Sequence, residues 1–70
     1  MKKFELVIGS PTDYEELVVY IRLDDINICL IQKEEGINRI KIEFFNEKEI
    51  TLYLEEFLDV LSKAKNELLK

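Results

Sequence analysis

The chain predicts a two-layer α+β fold: an antiparallel β-meander of four to five strands with one C-terminal α-helix packed on one face. Two observations carry this. Apolar and polar residues alternate in successive short runs from Phe4 to Leu54, with turn-forming residues between the runs, which is the period of half-buried strands. From Leu54 onward the apolar spacing changes to three and four residues, the period of a helix lying on a core. Seventy residues form a single domain over 1–70. A chain this short hides only about 60% of its unfolded surface on folding, so the two layers must pack efficiently.

Phe4, Leu6 and Ile8 alternate with Glu5 and Val7 as a first strand, ended by Gly9-Ser10-Pro11. Thr12 with Glu15 has the form of a capping box, predicting one helical turn over 12–16. Leu17 to Leu23 and Ile26 to Gln32 form a hairpin around a two-residue loop, Asp24-Asp25. That loop sets Leu23 opposite Ile26, Ile21 opposite Ile28 and Val19 opposite Leu30 as one dry row. Val18, Tyr20, Arg22, Asn27, Cys29 and Ile31 then point to the other face. Glu34-Glu35-Gly36-Ile37-Asn38 is the next connection, with Gly36 suited to a positive φ.

Ile40, Ile42 and Phe44 mark a fourth strand, followed by a polar turn at Asn46-Glu47-Lys48-Glu49. Ile50, Leu52 and Leu54 alternate as a short fifth strand, or as the start of a longer helix. In the helix, Leu54, Phe57, Leu58, Leu61, Ala64 (or Lys65) and Leu68 form the apolar stripe, with Glu55, Glu56 and Asp59 early and Lys63, Lys65 and Lys70 late, as the macrodipole favours. The predicted inner sheet face is Phe4, Leu6, Val19, Ile21, Ile28, Leu30, Ile40, Ile42, Ile50 and Leu52.

The formal charge of −5 and a pI near 4.7 oppose generic binding to nucleic acid or anionic membrane and favour a basic partner. No apolar run approaches the roughly 18 residues of a transmembrane helix, and Met1-Lys2-Lys3 precedes an apolar run broken by Glu5, unlike a signal peptide. The lone Cys29, among apolar neighbours, suits a reducing cytoplasm. With no histidine, imidazole-based zinc sites, general bases and triads are ruled out. Neither glycine opens a phosphate loop. The expectation is therefore no catalytic residues, no metal ligands and no cofactor.

Two surfaces remain as candidates. In a five-strand meander the first loop, the third loop and the helix start lie at one end, gathering Asp13, Glu15, Glu16, Glu34, Glu35, Glu55 and Glu56. This acidic pole serves either solubility and the helix dipole or contact with a basic protein, with Tyr20 and Tyr53 as aromatic anchors at its edge. The outer sheet face would group Tyr20, Phe45 and Tyr53 with Arg22, Lys33, Arg39 and Lys41. It reads as a shielded sheet surface, as a homodimer interface through Val18, Ile31 and Phe45, or as a stacking platform for single-stranded nucleic acid.

The stretch Ile8-Gly9-Ser10-Pro11, Tyr14-Glu15-Glu16-Leu17-Val18, Ile31-Gln32-Lys33-Glu34-Glu35-Gly36, and later Phe57-Leu58 and Ala64-Lys65, resembles small bacterial immunity-type proteins encoded beside polymorphic or contact-dependent toxins. That resemblance implies a stoichiometric inhibitor of a toxin domain, often a basic nuclease. A second likeness is of layout only. Four strands and a helix, with Ile50-Thr51-Leu52 before Phe57, are similar to the purine-rich-element-binding and transcriptional-coactivator folds, which bind single strands as dimers through basic, aromatic sheets. The negative charge of this chain departs from that pattern.

Overall fold

The computed structural model describes residues 4–45 and 49–70; all but Glu49 of the polar turn expected at Asn46-Glu47-Lys48-Glu49 lies outside them. The elements are β1 (Phe4–Gly9), β2 (Val18–Leu23), β3 (Ile26–Gln32), β4 (Lys41–Phe44) and α1 (Leu54–Leu68). The strands lie side by side in chain order, each antiparallel to the next. The predicted α+β meander with its C-terminal helix is thus the observed fold. The hairpin loop forms as expected: Asp24 and Asp25 both take positive φ, 51° and 65°, as a two-residue turn with matching twist requires. Gly36, at φ 105°, joins two successive turns, Lys33–Gly36 and Gly36–Arg39.

The register departs from strict alternation. Leu23 faces Ile26 and Arg22 faces Asn27, but Ile21 then pairs with Cys29 and Val19 with Ile31. A β-bulge leaves Ile28 as the extra residue. Unbulged, the even-numbered row of β3 would have carried Gln32 onto the apolar face beside Ile28 and Leu30. With the bulge, Ile28 and Cys29 both join the core, Ile31 follows them, and Leu30 turns outward opposite Tyr20 and Glu43. Gln32 is then on the outer face, where it finds a hydrogen-bond partner, Glu43. The predicted positions of Cys29, Leu30 and Ile31 are exchanged because a polar side chain has to leave the core face.

Three further expectations change. Residues 12–16 form no helical turn: Tyr14 N–H donates to Pro11 O (3.2 Å) in a β-turn, and the Glu15 N–H is taken by another carboxylate. Residues 50–53 form neither a fifth strand nor the first turn of the helix; they are irregular, and Tyr53 is the N-cap of α1 in extended conformation. The buried residues of α1 are Val60, Ala64 and Leu68, with Phe57 and Leu61 partly covered. Val60 replaces Leu54 and Leu58, which are exposed.

The missing fifth strand reverses the helix. Phe57, in the second turn of α1, packs its ring 6.1 Å from Phe4 and 6.5 Å from Phe44, at the same end of the sheet as the Asp24-Asp25 turn. Leu68 and Lys70 lie at the other end with Ile8, Leu17 and Lys33. The chain does not cross the sheet again after β4, so the helix itself makes the return crossing.

Candidate protein-docking surface

The outer face is already partly occupied by the β1–β2 loop. Tyr14 Oη donates to Glu43 Oε1 (2.6 Å), and Gln32 Nε2 donates to Glu43 Oε2 (2.9 Å). Gln32 Oε1 accepts from Glu34 N–H (3.0 Å). Glu34 in turn receives the backbone N–H groups of Glu15 and Glu16 on its two carboxylate oxygens, both at 2.8 Å. This chain of bonds staples the loop across β3 and β4, and Val18 is fully buried. Tyr20 lies over Gly9, where a Cβ would meet its ring at 2.6 Å, and stacks on Phe45 at 6.0 Å.

The staple has a pH signature. The bond to Glu43, then desolvation and the negative charge of Glu43, push Tyr14 up to about 12. The Glu43 carboxyl is held below its ordinary value, first by the Tyr14 hydroxyl and then by the Gln32 amide. Below the ordinary carboxylate range the unfolded chain takes up the Glu43 proton first, so the staple's contribution falls as pH drops through that range and below it. Above about pH 10 the unfolded chain loses the Tyr14 proton first, so stability falls again as pH rises toward 12. Urea denaturation from pH 3 to 11 should therefore show both losses. Buried Cys29, raised from 9 to about 11 by desolvation, adds an alkaline loss of its own, so Tyr14→Phe should shrink the alkaline loss without removing it and should blunt the acid one; an unchanged alkaline limb would refute the assignment.

The seven acids expected at one pole divide into four groups. Glu34 is used by the staple. Glu35 pairs with Arg39 (3.5 Å) and Lys41. Asp13, Glu15 and Glu16 remain exposed on the first loop. Glu55 and Glu56, in the first turn of α1, stand at the opposite end with the hairpin tip, because the helix runs the other way.

The outer-face aromatic group divides too. Tyr20 and Phe45 stay together, whereas Tyr53 caps the helix and is 80% exposed. Arg22 donates to Asp25 O (2.9 Å), and Arg39 and Lys41 face Glu35. Val18 and Ile31, cited for an outer-face dimer, are buried within one copy.

An apolar surface that was not read from the sequence lies on the other side of the sheet. The backbone of α1 lies over β2, reaching β1 and β3 but not β4; the ring of Phe57 packs against that of Phe44. The inner side of β4 is left open, with Phe44 at 63% exposure and Ile42 and Ile37 also exposed. Leu61 and Lys65 face Ile31, Ile37, Ile40 and Ile42 across a cavity of about 320 Å³. Leu54 and Leu58 share that side of the helix by their i, i+4, i+7 spacing with Leu61, and both are exposed. Together these residues make an apolar trough between helix and edge strand. Its signal in the sequence was a helical stripe wider than one packing contact needs, including Leu54 and Leu58 beside Phe57 and Leu61.

Cys29 is buried, and burial raises its thiol to about 11, which makes it a poor nucleophile at neutral pH. Among the described residues no cluster of His, Cys, Asp or Glu could hold a metal ion, and no helix is long and apolar enough to cross a membrane. Compared with known proteins, the chain matches no family model, and no curated protein or solved structure is significantly similar to it.

Proposed function

We propose that the chain is a non-enzymatic protein-binding module, an inhibitor of the immunity type that neutralises a basic toxin domain by stoichiometric binding. The trough carries this reading. Leu54, Leu58, Ile37, Ile42 and Phe44 form a run of exposed apolar side chains along one flank, larger than the scattered exposure usual on a monomer. Glu55 and Glu56 stand beside Leu54 at one mouth of the trough, and the net charge of −5 draws a basic protein toward it. Tyr53, next to these acids and largely exposed, is the aromatic anchor of the same surface. The likeness to immunity-type proteins points the same way. The alternative reading, a single-strand nucleic-acid platform, keeps only the Tyr20–Phe45 stack, and Glu43 faces it from the neighbouring position on β4.

Affinity capture followed by mass spectrometry tests the reading. The expected result is recovery of a basic protein at one-to-one stoichiometry, with binding weakened by salt. The double change Leu54→Lys/Leu58→Lys should weaken that binding at least about tenfold, while leaving the circular dichroism spectrum intact because both side chains point to solvent. Equal capture by the double variant would reject the trough as the docking surface. Charge reversal at Glu34 is a poor probe, since it breaks the staple; Glu55→Lys and Glu56→Lys separate charge from folding better.

A further inference from the structure

We propose that β4 pairs with β4 of a second copy of this chain, joining two four-stranded sheets edge to edge. This rests on the reading that the β4 flank is an interface, and it names one occupant of the edge. Phe45 N–H donates to Ile28 O at 3.1 Å, and β3 and β4 pair in regular register from Cys29↔Phe44 to Gln32↔Lys41. Antiparallel pairing alternates by two residues. The amides of Glu43 and Lys41 therefore turn toward β3, and those of Ile40, Ile42 and Phe44 point away from the sheet.

The sequence of this edge is self-complementary. With the two-fold axis at Ile42, Ile42 faces its own copy, Ile40 faces Phe44, and Lys41 faces Glu43, each pair occurring symmetrically. The apolar pairs all lie on the inner face and the opposite-charge pairs all on the outer face. Both are favourable cross-strand combinations, and the outward amides meet in hydrogen-bonding pairs. The other sheet edge lacks this property: a β1 pair centred on Leu6 sets Glu5 against Val7, and one centred on Glu5 sets two carboxylates together. The symmetry is that of an isologous dimer.

The paired ladder is about 17 Å long, short for a standard interface, so assembly is expected on the order of 10 µM rather than at nanomolar concentration. Because α1 lies over β2, the two helices stay apart. The Leu54 and Leu58 walls remain open to a protein partner in the dimer.

Sedimentation equilibrium from about 5 to 300 µM should show the mass rising from 8.3 kDa toward twice that. Ile42→Cys, oxidised in the dimer, should give a cross-linked band, whereas Ile26→Cys, exposed but at the hairpin tip, should not. Ile42→Pro removes an outward amide that β3 does not use and should abolish the dimer. If that variant fails to fold by circular dichroism, the cross-linking decides. A wild-type chain that stays monomeric at the highest concentration, equal cross-linking at residue 26, or undiminished dimer in folded Ile42→Pro would overturn the proposal. The two readings fail separately: a monomer whose partner binding is lost on Leu54→Lys/Leu58→Lys sinks only the dimer, and a dimer whose binding ignores that change sinks only the proposed docking surface.

Discussion

Ile21→Ala should lower the free energy of unfolding by about 2–5 kcal/mol, the largest loss expected from one truncation here. Ile21 is fully buried and sits in the cluster where Val19, Ile28, Cys29 and Ile31 from the sheet meet Val60, Ala64 and Leu68 from α1. Its strand is central, with Leu6 on one side and Cys29 on the other, so neither neighbour can collapse freely into the space. A domain of this length has roughly 4–10 kcal/mol in total, and the variant should be partly unfolded at 37 °C. Urea denaturation followed by circular dichroism measures the loss. Leu58→Ala, on the exposed side of the helix, should stay within about 0.5 kcal/mol, and comparable losses for the two would contradict the assignment of the core.

Gln32→Ala should cost about 1–3 kcal/mol, through groups left without partners rather than through lost apolar area. Gln32 is 6% exposed and serves two neighbours at once, donating to Glu43 and accepting from the Glu34 N–H. Without it, Glu43 keeps Tyr14 as its hydrogen-bond donor, and Glu34 loses the contact that seats it beneath the amides of Glu15 and Glu16. Hydrogen exchange at those two amides should quicken while exchange at Ile21 changes only with global stability. Uniform acceleration across the chain would mean that the staple is not a separate unit of structure.

The hairpin was legible because Asp24-Asp25 is bounded by apolar runs on both sides, and a two-residue loop admits few geometries. The order of the strands followed from the shortness of the loops, and the helix from the change of period at Leu54. The bulge was not legible, since Ile28-Cys29-Leu30-Ile31 is apolar on both parities and alternation cannot choose a register within it. Gln32 held the clue: a strictly alternating β3 would have set it on the apolar face. Of the candidate site, the acids and Tyr53 are exposed and Tyr20 is half-buried, but the expected grouping of these residues depended on a fifth strand. Ile50, Leu52 and Leu54 have strand alternation, yet alternation does not supply a partner edge.

Residue order alone determined the four strands and the C-terminal helix, where the hairpin turns, and the net charge of −5. Those properties depend on local periodicity, turn conformation and charge count, each of which is read within a few residues. Tertiary structure decided the rest: the register of β3 beyond Arg22, the commitment of Glu34 and Glu35 to contacts within the domain, the direction of α1, and the opening of a trough along β4. These depend on which polar group can find a partner and how much of a four-stranded sheet one helix can cover, and neither is a property of any short stretch of chain.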